Sequence, residues 1–326
     1  MIVHLASITL ALLLDRIIGD PPNLPHPVRW MGSSIAFLDK ALNKGEYKKM
    51  KGLVMLGFLL FMFFSITTLL VSVSYKLHPA AGIVFEGFLI STAIASKSLK
   101  EAARAVFLPL SEGDLKESRK KLSYIVGRDT HSIEERDVIR GAVESVAENT
   151  SDGITAPLFW ALIGGAPLAI AYRLINTCDS IVGYKNDTYR EFGWASARLD
   201  DLVNWLPSRI TAFMMIVVLP SKHHKRMEAW KITREDSRKH PSPNSGWGEA
   251  AAAAILGITL GGRNYYQGIP SDRAIMGREV VPLDKVHILE VLRLMDRTIF
   301  GFYIFLLIGG MLIEVAFSWL QSTVFI

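Results

Sequence analysis

From residue 52 to residue 74 the chain runs for twenty-three residues without a charged side chain. As a helix rising 1.5 Å per residue, this run reaches about 34 Å, enough to cross a hydrocarbon core about 30 Å thick. Half of the 326 residues are hydrophobic, so the run belongs to a chain that is apolar throughout and reads as an integral membrane protein. Lys40, Lys44, Lys48, Lys49 and Lys51 precede it and outnumber Asp39 and Glu46, which places that loop in the cytoplasm and the N-terminus outside.

Other runs extend the pattern. Residues 1–18 lack the basic start and small-residue cleavage site of a signal peptide, and Asp15-Arg16 falls where an apolar core should continue, so they are expected to remain as a first helix. Residues 80–96 form a second apolar run in which Glu86 should face protein rather than lipid. Residues 97–149 are polar and helical in pattern, with Asp114 as an expected N-cap and Ser132-x-x-Glu135 as an expected capping box. Residues 155–174 have nearly the length of a span, but Gly164-Gly165-Ala166-Pro167 divides them, which predicts a broken or re-entrant helical hairpin. Residues 206–220 are short for a span. Residues 250–262 are rich in Ala and Gly, as in closely packed helices, and residues 299–320 are again strongly apolar.

The fold expected is all-α: a polytopic membrane helical bundle with cytoplasmic helical loops, five to eight spans, and a single domain over residues 1–326. The net charge of +5 lies in loops rather than on a basic face studded with aromatics, which argues against nucleic acid as a partner. Cys178 is the single cysteine, so no intramolecular disulfide is possible, and it reads as a small buried residue.

Between residues 140 and 209 apolar runs alternate with an unusual load of charge. A charge at mid-membrane costs about 2.5 to 3.5 kcal/mol on insertion scales, so this density is expected around a site or a water-filled cavity. Glu144 and Glu148 are one helical turn apart and share a face, with Asp152 near the helix end. They read either as carboxylates whose repulsion a cation such as magnesium relieves or as a solvated acidic face. Arg173 and Asn176, with Lys185 beyond the helix, are donors of the kind phosphate oxygens take, or the polar side of a helix paired with its neighbours. Arg198, Asp200, Asp201 and Asn204 read as a metal or substrate-positioning site, or as a structural ion-pair network.

Two further clusters flank this stretch. Asp20, His26 and Arg29 lie in a proline-rich turn after the first helix, and Asp20 and His26 are candidate bases. Ser242 and Asn244 precede the Ala-rich segment, where exposed N–H groups at a helix start would cradle an anion or simply be capped. The chain contains no Walker P-loop, GxGxxG, HExxH, GxSxG or paired-Cys zinc pattern, so any nucleotide must use another kind of site.

The segments DRIIGDPPNLPHPVRWMG, RDT at residues 128–130, ESVAENTSDGITAPLFW, NTCDSIVGYKN, SARLDDLVNWLPSR, and SPNSGWGEA followed by LGG resemble the adenosylcobinamide-phosphate synthase family of cobalamin biosynthesis. They fall in the same order along nearly the whole length, with Arg173 where Lys is expected and Gly248 where Pro is expected. The resemblance implies an amide ligase of the cell membrane, with its site facing the cytoplasm. It would join adenosylcobyric acid to aminopropanol or aminopropanol phosphate using ATP and magnesium, with other corrinoid-pathway proteins as further partners. Activation of the carboxylate as an acyl phosphate would need magnesium on Glu144, Glu148 and Asp152 or on Asp200 and Asp201, and phosphate clamps from Arg173, Lys185 and Arg198. Glu148 and Asp201 are thereby catalytic candidates, with Arg29, Asn176, Asn204, Ser242 and Asn244 as binding groups. Phe159, Trp160, Trp194 and Trp205 would supply an apolar wall for the corrinoid. A transporter or a non-catalytic corrinoid-binding sensor are the rival classes. A carrier would show inverted repeats, and none is visible.

Overall fold

The computed structural model describes residues 1–21 and 25–324. The proline turn expected after the first helix includes residues 22–24, which lie outside the described residues.

The chain forms two compact units, interleaved along the sequence: residues 1–95, 153–204 and 303–326 make one, and residues 96–152 and 205–302 the other. Four helical stretches are long and apolar enough to cross a membrane: Lys48–Leu77, Pro79–Ser111, Glu135–Val182 and Val286–Ala316. Trp194–Val203 and Trp205–Val218 pass the same criterion as a pair, so the described residues hold four or five such stretches, against the five to eight expected. The shortfall comes from the N-terminal helix and the Ala-rich helix, which have only 16 and 12 residues.

The first unit is built from α1 (Ile2–Ile17), α2 (Pro27–Leu42), α3 (Lys48–Leu77), α4 (Pro79–Ala93), α8 (Ala156–Val182) and α9 (Trp194–Val203), with the C-terminal part of α13 (Val286–Val324). Helix α4 packs against α1 and α3, and α8 against α2, α3, α4 and α9. Glu86 of α4 is fully buried, as its place in an apolar run requires. Its carboxylate accepts from Tyr75 Oη at 2.7 Å, Ser7 Oγ at 2.9 Å and the Ala166 N–H at 3.2 Å, and His4 Nδ1 lies 3.1 Å away. The expected helix break falls where the sequence puts it: Gly164 and Gly165 leave helical geometry inside α8, Gly165 with φ of 65°. A Cβ on Gly165 would lie 1.9 Å from Glu86 Oε1, so only glycine lets the carboxylate reach the backbone freed by the break. Cys178 is buried, as expected.

The second unit contains α5 (Ser96–Ser111), α6 (Leu115–Leu122), α7 (Glu135–Thr150), α10 (Trp205–Val218), α11 (Arg226–Asp236), α12 (Ser245–Leu256), the strands β1 (Thr259–Tyr266) and β2 (Ile269–Gly277), and the first turns of α13. Asp114 caps α6 as expected, its carboxylate accepting from the Glu117 N–H. Ser132 does not cap α7. The helix starts three residues later, after Glu134, where Arg119 Nε holds the Ile133 carbonyl at 2.7 Å, and Glu135 and Asp137 supply negative charge to its first turn.

Helix α12 is buried on nearly every side against α7, α10 and α11, which its Ala and Gly residues permit. It stops at Gly257 in the left-handed conformation, and the Gly-rich continuation, expected to pack as helix, instead becomes an antiparallel hairpin. Gln267 and Gly268, both with positive φ, form its two-residue turn. This hairpin is the one addition to the all-α architecture among the described residues.

Candidate functional sites

Each unit carries a polar cavity of its own. In the second unit, α7, α12, the hairpin and the turn at residues 125–128 enclose about 120 Å³, lined by Glu144, Ser145, Glu148, Glu249, Arg128, Tyr266 and Arg273. Helical spacing places Glu144 and Glu148 on the same face of α7, toward α12 and the hairpin. Arg128 Nη2 donates to Glu144 Oε2 at 2.6 Å, both side chains less than a tenth exposed, and Asn264 Oδ1 accepts from Arg128 Nη1. The Gly261 N–H donates to the other Glu144 oxygen at 2.8 Å. Arg128 lies directly over Gly141, where a Cβ would come within 2.7 Å of its guanidinium. Glu148 Oε1 accepts from Ser245 Oγ at 2.8 Å.

Glu249, on α12, is 1% exposed. Its Oε1 lies 3.5 Å from His240 Nε2, and its Oε2 has no hydrogen-bond partner among the described residues. Burial, reinforced by the negative charges of Glu144 and Glu148, pushes this carboxyl well above the usual carboxylate range. Burial and the Arg273 cation lower His240. Arg273 reaches in from β2, donating to Tyr266 Oη at 2.8 Å.

In the first unit, a larger cavity of about 460 Å³ is lined by Lys185, Arg190, Arg198, Asp201, Tyr184, Tyr189 and Trp194. It lies at the turn between α8 and α9, where Arg198 Nη1 stands 3.8 Å from Asp201 Oδ2. Lys49 sits 3.9 Å over the Trp194 ring. Three cations beside exposed aromatic rings form a surface for an anionic ligand with a flat face. Asp200 is buried on α9 and accepts from Asn176 Nδ2 at 3.3 Å.

The remaining candidates have varied surroundings. Asp20 and His26 are brought together, with His26 Nε2 3.0 Å from Asp20 Oδ1 but off the line of a hydrogen bond. Arg29 donates to the Pro21 carbonyl at 2.9 Å. Asp152 lies in a π-helical turn, Ser151–Thr155, and Arg173 on α8. Asn204 is buried at the end of α9. Ser242 Oγ accepts from the N–H groups of Asn244 and Ser245, both at 3.2 Å, so it serves as a cap at the start of α12. Asn244 accepts from Ser208 at 3.4 Å. Among the proposed aromatic wall residues, Phe159 and Trp160 meet edge to face in the first unit. Trp205 belongs to a ladder in the second unit that continues through Arg209, Trp247, Trp230 and Phe213.

Of the candidate magnesium carboxylates, Glu144 and Glu148 lie on α7, Asp152 in the π-helical turn that follows it, and Asp200 and Asp201 on α9. Among the described residues no three His, Cys, Asp or Glu side chains are grouped to hold a metal ion, so no protein-made cage is present for magnesium.

Sequence reading misses Glu249, Arg273, Tyr266 and His240, and gives no role to Arg128. Glu249 carries a signal, being the one charge in the run SGWGEAAAAAIL, which is otherwise small or apolar. Arg273 and Tyr266 carry none, because the hairpin that delivers them is itself unexpected.

A helical membrane protein with a charged, buried cavity is the class these features define. The CobD/CbiB protein family matches residues 8–295, and the chain belongs to that family. It is 50% identical over 313 residues to the cobalamin biosynthesis protein CobD of Halalkalibacterium halodurans, covering 94% of this chain and 97% of that one. It is 46% identical to the CobD of Geobacter metallireducens, covering 89% and 92%, and 41% identical to the cobalamin biosynthesis protein CbiB of Salmonella paratyphi B, covering 88% and 91%. No solved structure matches the chain.

Proposed function

We propose that this chain acts in cobalamin biosynthesis as a membrane amide ligase, joining the side-chain carboxylate of adenosylcobyric acid to the amine of aminopropanol or its phosphate. Support for the pathway comes from the relatives named for it. The observation that carries the reaction class is the buried cavity of the second unit, where carboxyl groups and two arginines meet around a space for a small molecule. Amide formation needs that combination: carboxylates to hold an ammonium and take its proton, and cations for phosphate oxygens.

A carboxylate does not condense with an amine unaided. In the proposed course, a carboxylate oxygen takes the terminal phosphoryl group of ATP and ADP leaves. The ammonium loses a proton, the free amine attacks the acyl carbon, and inorganic phosphate departs with the former carboxylate oxygen. The nucleotide is proposed to take the cavity of the first unit, where Lys185, Arg190 and Arg198 would serve the phosphates and Tyr184, Tyr189 and Trp194 the base. Magnesium is usually bound through one or two carboxylates completed by substrate phosphates, so the ion is best read as entering with ATP. The membrane proposed is the cell membrane, with the lysine-rich loops and the site on its cytoplasmic side.

The test is to incubate the detergent-purified protein with adenosylcobyric acid, aminopropanol phosphate, ATP and magnesium, and to weigh the corrinoid by mass spectrometry. A mass gain equal to the amine minus water, dependent on ATP, is the expected result. Corrinoid binding without any amide, with either acceptor, would return the chain to the class of carrier or sensor.

A further inference from the structure

We propose that the cavity enclosed by Glu144, Glu148 and Glu249 is the binding site for a small primary ammonium compound, and that Arg273 at the same cavity receives the anionic group it carries. The assignment rests on the amide-forming reading, since it gives that reaction's amine a place.

Three observations converge. The first is an acid with nothing to do: Glu249 is 1% exposed, lines the cavity, and presents Oε2 without a hydrogen-bond partner among the described residues. A buried polar atom left unsatisfied costs free energy comparable to a lost hydrogen bond, so such an atom at a cavity wall marks a missing donor. The second is the identity of that donor. An alkylammonium group has three N–H bonds, and three carboxyl groups face the space. Arg128 is already turned to Glu144 and Asn264, and Arg273 to Tyr266 and His240, so neither arginine donates a hydrogen bond to Glu249. No grouping of three metal ligands exists among the described residues, which favours an organic cation over a bare divalent ion.

The third observation is size. The cavity of about 120 Å³ is slightly smaller than an engineered cavity of about 150 Å³ that admits benzene, a ligand of six heavy atoms. A short amino alcohol fills it, and a phosphate on its far end extends toward Arg273. Burial and the two neighbouring glutamates disfavour the charged form of Glu249. An arriving ammonium favours the carboxylate form of Glu249, any proton it releases passing to solvent, and that carboxylate can later take up the proton the amine gives off.

The experiment is calorimetric titration of the full-length protein in detergent, without corrinoid or ATP. The probes are 1-aminopropan-2-ol, its phosphate ester, and isopropyl phosphate, which keeps the anion and lacks the amine. The wild-type protein should bind the amino phosphate about ten- to a hundredfold more tightly than isopropyl phosphate, the span for one charge-assisted hydrogen bond. Glu249→Gln keeps the shape of the side chain without its charge, so the melting temperature should hold while amine affinity falls by the same factor. Arg273→Gln should weaken the phosphate ester and spare the free amino alcohol. If Glu249→Gln does not fold, Glu148→Gln carries the same expectation. Equal binding of isopropyl phosphate and the amino phosphate, or amine affinity unchanged in both glutamine variants, overturns the proposal. Glu249-dependent amine binding in a protein that makes no amide would keep this site and remove the ligase reading. Amide synthesis that proceeds at full rate in Glu249→Gln would do the reverse.

Discussion

Arg128 and Glu144 form an ion pair at 2.6 Å with both side chains less than a tenth exposed. Removing one partner of such a pair leaves a buried charge, at a cost of about 3–5 kcal/mol. Arg128→Met is therefore expected to lower thermal stability in detergent severely, and Gly141→Ala to do so more mildly by lifting Arg128 off α7; melting curves of both variants check the order. Asp236 supplies a pH dependence of known sign. Burial opposes its charge, but Lys239 Nζ at 2.5 Å, the Gly277 N–H at 2.8 Å and Arg278 Nη1 at 2.9 Å outweigh it and hold its carboxyl below the usual range. A depressed folded value means stabilisation that is complete above the ordinary carboxylate pKa of about 3.9 and is lost as the pH falls below it. The melting temperature should drop as the pH falls below about 4, and Asp236→Asn should flatten that drop. At this scale Glu144, Glu148, Lys185 and Arg198 were legible as polar groups in apolar surroundings. Glu249 was legible too, by the same rule, but it lies beyond the charge-rich stretch that draws attention. Arg273 was not, since its position depends on pairing between β1 and β2.

Helix α8 shows what a break in a span requires. Its Gly164-Gly165 step frees backbone groups inside an apolar helical stretch, and Glu86 from α4 answers the Ala166 N–H. Gly165→Ala adds a Cβ 1.9 Å from Glu86 Oε1 at a φ of 65°, so it should destabilise by at least the about 1–3 kcal/mol of a strained residue. Denaturation in detergent with circular dichroism measures it, and Glu86→Ala should be comparably harmful by stranding the Tyr75 hydroxyl and the Ala166 N–H. Elements with strong periodicity or clear punctuation were readable: α3 from its charge-free run, the α8 break from Gly-Gly-Ala-Pro, the α6 cap from Asp114. Two local signals misled. The Ser132 capping box matches a pattern, but tertiary contact between Arg119 and Ile133 fixes the backbone there and delays the helix. Ala250 through Ala254 reads as helix and is one, but the Gly residues that follow serve a left-handed stop and a hairpin.

For the whole chain, four or five apolar helical stretches predict that the protein stays with the membrane pellet after an alkaline carbonate wash, as spanning proteins do, and leaves it only with detergent. The membrane class was legible because hydropathy acts on whole segments. The division into two units, each drawing on separated parts of the chain, was not, because no linker or change of composition marks it. The central claim, carboxylate activation by ATP followed by amide formation, is best tested by tracing oxygen. Adenosylcobyric acid labelled with oxygen-18 in its reactive carboxylate is turned over with ATP and aminopropanol phosphate, and the released inorganic phosphate is analysed by mass spectrometry. The account predicts one labelled oxygen in phosphate for each amide made. Amide formed without label in phosphate would contradict it.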